Sequence, residues 1–169
     1  MTEAAAGVEA VAVRFAAPDD DARLAAIDEE TWSTSVSPAP RPTERRFFRP
    51  QVEPADTLVA ELGGLVVGYA LLGNPTPLPA STHVQMLRGL AVDPAYQSRG
   101  VGRALVEAAI AQARARGAVK LSLRVLGSNQ GARRLYAACG FETEGVLRDE
   151  FLLDGDPVDD HLLARRLDR

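Results

Sequence analysis

The sequence has very few side chains that bind metals or form disulfides. Its 169 residues include one cysteine, Cys139, and two histidines, His83 and His161. A single cysteine excludes an internal disulfide and a cysteine-rich zinc site, and the two histidines lack the H-E-x-x-H spacing of zinc proteases. We therefore expect no metal site, and we expect Cys139 to be a small buried packing residue.

Long apolar runs are also absent. No stretch reaches the length of a membrane-spanning segment, and the first thirty residues, which include Glu3 and Glu9, contain no apolar run of signal-peptide length. Hydrophobic residues make up 46% and charged residues 25% of the chain, which is typical of a globular protein. We expect a cytoplasmic protein with one domain spanning residues 1–169, in which residues 1–10 are mobile.

Positive charge is scarce overall but concentrated in one part of the chain. The net charge is −4, and the first thirty residues carry eight acidic residues against Arg14 and Arg23. Between residues 97 and 134 the acid Glu107 stands against eight bases, which are Arg99, Arg103, Arg114, Arg116, Lys120, Arg124, Arg133 and Arg134. A basic centre in an acidic chain indicates a small anionic ligand rather than nucleic acid. Solvated arginines on an exposed helix face are the alternative.

Apolar periodicity predicts an α+β fold with a mixed sheet. Strands are predicted at 11–16, 57–61, 65–72, 83–92 and 119–126, then from Phe141, and then twice within 145–167 around a turn at 154–157. Helices are predicted at 18–30, at 101–116, and from Ser128 or Asn129 to Gly140. The helix at 101–116 is expected to connect two parallel strands.

The segment from Thr31 to Pro54 is irregular and rich in proline. It has room for one short helix around Thr43 to Arg49. A long irregular segment inside a compact domain is often a binding loop. Trp32, Phe47 and Phe48 in this segment either line a substrate pocket or pack in the core.

A strand, a glycine turn and a helix start follow one another between Met86 and Arg103. The strand ends at Asp93, and Gly100 and Gly102 stand directly before an alanine-rich helix. The first turn of a helix has N–H groups without partners, and glycines let a phosphate approach them. The spacing therefore predicts a phosphate site, with a ligand-free tight turn as the alternative. Gly89 inside the strand predicts a bulge.

Two motifs resemble those of the GNAT-type N-acetyltransferases, which use acetyl-coenzyme A. Residues 97–102, QSRGVG, match the family's pyrophosphate motif Q/R-x-x-G-x-G/A, and residues 90–94, LAVDP, match the strand and turn before it. Residues 125–141 follow a second family pattern, V-x-x-x-N-x-x-A-x-x-L-Y-x-x-x-G-F. The resemblance implies a three-layer fold with a central mixed sheet of about seven strands, splayed parallel strands and helices on both faces.

The resemblance also implies which residues bind acetyl-coenzyme A. The backbone of residues 90–92 would pair with the pantetheine arm, and the N–H groups of residues 98–103 would hold the pyrophosphate. Asn129 would contact the arm from the other strand, and Arg133 or Arg103 would meet the nucleotide phosphates. The full implied set is Leu90, Ala91, Val92, Gln97, Ser98, Arg99, Gly100, Val101, Gly102, Arg103, Asn129 and Arg133.

The implied reaction moves an acetyl group from acetyl-coenzyme A to a primary amine of a small molecule or protein, by direct attack on the thioester. A backbone N–H near Val92 would hold the oxyanion, and Tyr136 would be the catalytic proton donor to the thiolate. Proton transfer from a tyrosine of pKa about 10 to a thiolate of pKa about 8.5 costs roughly 2 kcal/mol. Tyr136 therefore has a pKa lowered by Arg133, or it mainly donates a hydrogen bond. A tyrosine that only packs in the core is the alternative.

The group that accepts the amine's proton is not identified. Some relatives carry a glutamate five residues before the asparagine, where this chain has Arg124. The candidates for the base are His83, Glu30, Asp149, Glu150 and a chain of water molecules. If Arg124 points into the acceptor site, an acidic group on the acceptor is expected.

Two other functions compete with acetyl transfer. A catalytically silent acyl-coenzyme A sensor would keep the cofactor groove without turnover. A phosphoryl-transfer enzyme is disfavoured, because no Lys-Ser or Lys-Thr follows the glycines. The expected partners are acetyl-coenzyme A and an amine acceptor, without nucleic acid or membrane, and a homodimer is the assembly considered.

Overall fold

The computed structural model describes residues 10–43 and 45–167, which contain seven strands and three α-helices. In chain order these are β1 (Ala12–Phe15), α1 (Asp21–Thr31), β2 (Thr57–Leu62), β3 (Leu65–Gly73), β4 (Val84–Val92), α2 (Val101–Ala115), β5 (Lys120–Leu126), α3 (Gln130–Ala138), β6 (Glu142–Leu153) and β7 (Asp156–Arg166). Short 3-10 turns stand before α1, β2, β4 and α2. Residues 1–10 are predicted to be mobile. Of these, Ala10 lies within the described part and the other nine lie outside it.

The strands form one mixed sheet in the order β1-β2-β3-β4-β5-β7-β6. Only β4 and β5 run parallel, and every other neighbouring pair is antiparallel. Parallel neighbours need a crossover connection, and α2 supplies it as predicted.

Helix α2 supplies much of the core on one face of the sheet. Its buried side chains recur at helical spacing and are Val101, Leu105, Val106, Ala109, Ile110 and Ala113. They pack against β2, β3 and β4. The helix stops before Gly117, whose φ of +80° is the left-handed conformation that glycine adopts without strain.

Helix α1 packs on the opposite face of the sheet. Leu24 and Ile27 are fully buried in a second cluster that includes Val59, Tyr69 and Leu71 of the sheet. The two clusters place helices on both faces, so the three-layer fold and its seven-stranded mixed sheet are confirmed.

The short helix predicted around Thr43 to Arg49 is wrong. Residues 43 and 45–49 are not helical. The backbone N–H groups of Phe47 and Phe48 instead donate to one carboxylate oxygen of Asp21, at 3.1 and 2.7 Å. A side chain from the start of α1 thus satisfies backbone groups that a helix would have used.

Two boundaries also differ from the sequence prediction. Helix α1 begins at Asp21, because residues 18–20 form a 3-10 turn. The strand expected from Phe141 and the first strand of the tail are one strand, β6, whose pairing with β7 shifts register twice. The second shift contains Asp149, with a φ of +52°.

Among the described residues, no helix combines the length and apolarity that crossing a bilayer requires.

Candidate active site

The two parallel strands separate half-way along their length. β4 pairs with β5 only over residues 84–87, whereas it stays paired with β3 as far as Val92. A register shift leaves Arg88 as an extra residue beside Gly89, which confirms the predicted bulge. β5 meanwhile follows β7 as far as Leu126. Beyond the bulge the two strands therefore border an open cleft of about 1300 Å³.

Backbone groups of β4 face this cleft. The Asp93 N–H donates to the Val67 carbonyl of β3 at 2.8 Å. Successive amides of an antiparallel strand point to alternate sides, so the N–H groups of Val92 and Leu90 point away from β3 and into the cleft. The Val92 carbonyl accepts a hydrogen bond from Nε2 of Gln97 at 3.1 Å. This strand edge can pair with an extended ligand.

The loop before α2, residues 97–100, presents N–H groups at one end of the cleft. Ser98 and Gly100 have φ values of +61° and +82°, and such turns direct successive N–H groups to one side. Gly100 is the N-cap of α2 and has no side chain to cap it. The N–H groups of the first helical turn are therefore available to an anion.

A partly buried ion pair fixes the start of this loop. Asp93 is 8% exposed, and its carboxylate accepts a hydrogen bond from the Ala95 N–H at 2.8 Å and pairs with Arg23 of α1. Arg23 also donates through Nε to the Val66 carbonyl at 2.9 Å. Burial raises the pKa of Asp93, but the bonds from Ala95 and Arg23 outweigh it, so the pKa lies below its usual value.

The structure brings nine of the twelve implied cofactor residues together along the cleft. These nine are Leu90, Ala91, Val92, Gln97, Ser98, Gly100, Gly102, Arg103 and Asn129. Val101 is buried in the core, so only its backbone can meet a ligand. Arg99 lies over the Tyr96 ring, 5.3 Å from its centroid, and Arg133 borders a separate small pocket. The side chains of Arg99 and Arg133 are therefore outside the cleft.

Helix α3 places Asn129 and Tyr136 on the far side of the cleft. Oδ1 of Asn129 caps the helix by accepting a hydrogen bond from the Ala132 N–H at 3.1 Å. Tyr136 is 7% exposed, lines the cleft and lies with its ring 5.8 Å from that of Phe141. No buried side-chain polar atom of the described residues lacks a partner. The Tyr136 hydroxyl, which bonds to none of these residues, therefore reaches the cleft.

The pKa of Tyr136 is raised rather than lowered. Burial disfavours the phenolate, and nearby Cys139 adds to the effect. Arg133 instead donates to the Gly127 carbonyl at 3.3 Å and does not offset the burial. The hypothesis that Arg133 lowers the pKa of Tyr136 is wrong. A hydrogen-bond donor and a tyrosine that only packs in the core are the two roles left for Tyr136.

Arg124 lines the cleft, but a neighbour balances its charge. Its Nε donates to the Asp160 carboxylate at 2.5 Å, and a second guanidinium nitrogen pairs with the same group. Glu150 lies 4.0 Å from Arg124. Asp160 is 2% exposed, and a carboxylate so buried needs this partner. An acidic group on the acceptor therefore cannot be inferred from Arg124.

Four side chains are candidates for the base that accepts the amine's proton, namely His83, Glu30, Asp149 and Glu150. None of these four lines the cleft. The acidic side chains that do line it, within residues 10–43 and 45–167, are Asp28 of α1 and Asp160 of β7. Since Asp160 is paired with Arg124, Asp28 is the acid left for other contacts.

We define the α1 side as one part of the cleft. It is the part that is lined by α1, by the irregular segment after α1, and by Tyr69 and Arg88. The Tyr69 hydroxyl donates to Oδ1 of Asp28 at 2.6 Å, and its ring lies 4.6 Å from that of Phe47. Burial raises the pKa of Tyr69, and Asp28 raises it further, so the phenol stays a donor. Trp32 and Phe47 line this side, whereas Phe48 packs beside the α1 core.

The sequence did not identify Asp28 or Tyr69, because their contact joins positions 41 residues apart. It also did not identify Arg49 and Arg88, which line the same side. One local feature of the sequence could have indicated a positively charged surface here. It is the group of arginines within the proline-rich segment, at Arg41, Arg45, Arg46 and Arg49.

Comparisons with known proteins agree with this geometry. The family profile described as the Acetyltransferase (GNAT) family matches residues 23–141, more than half of the chain. The chain is 37% identical over 99 residues to N-alpha-acetyltransferase RimI of Mycobacterium tuberculosis, an alignment covering 57% of this chain and 58% of that protein. The chain thus spans less than two thirds of that relative's length.

Solved structures share the fold. The smu.2055 protein of Streptococcus mutans UA159 superposes with a TM-score of 0.81 at 26% identity, covering 93% of this chain and 99% of that one. The yncA protein of Salmonella typhimurium, solved with its cofactor acetyl-CoA, gives 0.77 at 22% identity and covers 95% of both chains. Because the family profile covers the splayed strands, the loop before α2 and α3 together, the chain belongs to the GNAT family of acetyltransferases.

Proposed function

We propose that this protein transfers an acetyl group from acetyl-coenzyme A to a primary amine by direct attack of the amine on the thioester. The observation that carries the proposal is a single cleft that joins the free edge of β4, the uncapped start of α2 and the Tyr136 hydroxyl. A nitrogen–carbon bond forms and the carbon–sulfur bond breaks. The neutral amine loses one proton and the sulfur of coenzyme A gains one, so the products are the N-acetyl amine and the free thiol. An amine that starts in its ammonium form also releases one proton to solvent.

The residues present fit acetyl-coenzyme A. The free N–H groups of Leu90 and Val92 suit the amides of an extended pantetheine arm, and those of residues 98–103 suit a pyrophosphate. Space is open where a Cβ would stand at Gly100 and Gly131, so a ligand can approach the backbone there. That yncA shares the fold and carries acetyl-CoA supports this choice. When bound, the cofactor supplies the activated acetyl group.

The chain's own groups have distinct roles in the proposal. The Val92 N–H donates to the acetyl oxygen as negative charge develops on it. The side-chain amide of Asn129 contacts the pantetheine arm, and the Tyr136 hydroxyl donates a hydrogen bond to the departing sulfur. Of the two arginines considered for the nucleotide phosphates, Arg103 lines the cleft and Arg133 does not, so we assign Arg103.

The acceptor is a primary amine of a small molecule or protein. The relative named N-alpha-acetyltransferase RimI supports an amine as the acceptor. The homodimer considered above stays a prediction, and the proposal includes no nucleic-acid or membrane partner.

Release of coenzyme A tests the proposal. The protein is incubated with acetyl-coenzyme A and a mixed pool of amines and amino acids, and free thiol is followed with a chromogenic reagent. We expect thiol release that depends on the amine, together with an amine that gains the mass of an acetyl group. A sample without amine measures simple hydrolysis. Tight binding of acetyl-coenzyme A without amine-dependent release would instead identify an acyl-coenzyme A sensor.

A further inference from the structure

Among residues 10–43 and 45–167, the α1 side of the cleft has more arginines than carboxylates to pair with them. The charged side chains lining the whole cleft, among the described residues, are Arg41, Arg46, Arg49, Arg88, Arg103, Arg124, Asp28 and Asp160. Arg103 lies at the phosphate end, and Arg124 is paired with Asp160. Of the four arginines on the α1 side, Arg41 pairs with Glu29 at 3.6 Å. That leaves Arg46, Arg49 and Arg88 beside the one acidic side chain that lines this side, Asp28.

Two of these arginines, Arg49 and Arg88, donate to backbone carbonyl groups, which do not neutralise their charge. Arg88 donates to the Gln51 carbonyl at 3.1 Å, and Arg49 lies 3.5 Å from the Phe47 carbonyl. Within residues 10–43 and 45–167 neither pairs with a carboxylate. A carbonyl accepts a hydrogen bond but cancels no charge, so both guanidinium groups can bind an anionic ligand.

Asp28 gives the same side one fixed negative group. The hydrogen bond from Tyr69 holds its carboxylate in place at 2.6 Å. Arg49 is close enough to Tyr69 that its charge acts on the phenol's pKa, against the larger effects of burial and Asp28. The Tyr69 ring lies over Gly89, where an added Cβ would be 3.4 Å from it. The Asp28 carboxylate and the Arg49 guanidinium thus both act on Tyr69, whose ring lies beside the start of the splayed β4 edge.

We infer that the acceptor is a small amine that also carries an anionic group, as a free amino acid does, with its amino group at Asp28 and its carboxylate at Arg49 and Arg88. This inference rests on the proposed acetyl transfer and specifies its acceptor. The planar guanidinium matches a carboxylate with two parallel hydrogen bonds, which an ammonium side chain cannot do. Trp32 and Phe47 supply apolar walls for the acceptor's side chain.

A matched panel of acceptors tests the inference. It contains free L-amino acids, their carboxamides, the corresponding amines without a carboxyl group, and a short peptide with an N-terminal alanine. Coenzyme A release is measured at saturating acetyl-coenzyme A. We expect kcat/KM to be at least about tenfold higher for the free amino acids than for the other three groups, the difference made by one charge-assisted pair.

Substitution of the arginines separates recognition from folding. In Arg49→Gln and Arg88→Gln we expect KM for the free amino acids to rise about tenfold, while kcat/KM for the carboxamides changes less than about twofold. Arg49→Lys restores part of the loss. Arg45→Gln is the matched control, because Arg45 is exposed in the same segment and does not line the cleft; it should leave both substrate groups unchanged. Melting temperatures verify that each variant is folded.

Three results would overturn the inference while acetyl transfer stands. The first is a kcat/KM for the carboxamides or the peptide that equals or exceeds that for the free amino acids. The second is an equal loss of kcat/KM for both substrate groups in the arginine variants. The third is turnover only with an amine that is not in the panel. Calorimetry with acetyl-coenzyme A identifies the other kind of failure. If the folded protein does not bind acetyl-coenzyme A, the proposed function fails and the inference that rests on it fails too.

Discussion

The hydroxyl of Tyr136 shows how burial decides the chemical role of a single residue. The ring packs against Phe141 at the edge of the core, while the hydroxyl reaches the cleft. Burial raises the pKa of the phenol, so transfer of its proton to a thiolate is more unfavourable than for a tyrosine in water. A hydrogen bond to the sulfur needs no such transfer and stays available at every pH at which the phenol keeps its proton.

Tyr136→Phe keeps the packed ring and removes the hydroxyl. We expect kcat to fall by about 10- to 100-fold, the worth of a hydrogen bond to a charged group, while KM for acetyl-coenzyme A changes less than about twofold. Because the pKa of Tyr136 is raised, the ratio of wild-type to variant kcat should stay constant as pH rises through about 10, where a free tyrosine titrates. Steady-state kinetics across this range measures the ratio. A ratio that collapses near pH 10 would show an ordinary pKa and contradict this role.

Arg124 shows why a residue's type does not reveal its function by itself. Its place in the sequence suggested a cation free to meet a substrate. The structure pairs it with Asp160 on β7, which lies 36 residues later and is almost fully buried. Within residues 10–43 and 45–167, Arg49 and Arg88 on the α1 side line the cleft without a carboxylate partner, and neither lies in the two motifs.

At the scale of elements, the Arg23–Asp93 pair joins α1 to the loop that precedes α2. Asp93 anchors the turn on one side through Ala95, and Arg23 ties it to β3 through the Val66 carbonyl. Loss of either partner leaves the other partly buried without a counter-charge. The pair therefore stabilises the loop before α2 from the opposite face of the sheet.

Substitutions at this pair should lower stability in a pH-dependent way. We expect Arg23→Gln and Asp93→Asn each to lower the free energy of unfolding by about 1–3 kcal/mol at pH 7. The folded pKa of Asp93 is below its unfolded value of about 3.9, so its contribution is present above that pH and is lost as pH falls through the folded pKa. The deficit of Asp93→Asn should therefore shrink at pH 3.

Urea unfolding at pH 7 and pH 3 measures both deficits. Arg134→Gln, at an exposed position of α3, serves as the control and should change stability by less than about 0.5 kcal/mol. An Asp93→Asn deficit of the same size at both pH values would show that the charge of Asp93 contributes nothing.

The elements that the sequence predicted well are those with local signals. Helix α2 ends shortly before Gly117, and α3 begins directly after its N-cap Asn129, because the residues that stop and cap these helices are their neighbours in the chain. The predicted helix at 43–49 failed for the opposite reason. The Asp21 carboxylate, which lies 26 residues earlier, takes the N–H groups of the segment, and no local pattern announces such a contact.

At the scale of the whole molecule, the cleft has two halves with different origins. The cofactor half comes from the continuous stretch of β4, α2, β5 and α3, so its motifs can be read along the chain. The α1 side is assembled from α1, the irregular segment, β3 and the bulge in β4, whose contacts join distant positions. The sequence therefore indicated the first half through its motifs. Of the α1 side it indicated only the irregular segment, in which Trp32 and Phe47 line the cleft. The single domain spanning residues 1–169 stays a prediction.

The central claim is that the start of α2 holds the pyrophosphate of acetyl-coenzyme A, and two glycines of one helix test it most directly. Gly100 and Gly117 flank α2, are exposed, have φ values of +82° and +80°, and have open space where a Cβ would stand. Because both positions have a left-handed backbone, aspartate at either one should lower stability by a similar amount. Only Gly100→Asp puts a carboxylate at the start of α2.

Titration calorimetry with acetyl-coenzyme A compares Gly100→Asp and Gly117→Asp with the wild type. We predict that Kd rises more than about tenfold in Gly100→Asp, because the new carboxylate repels the pyrophosphate, and changes less than about twofold in Gly117→Asp. An unchanged Kd in Gly100→Asp, or an equal rise in both variants, would contradict the account.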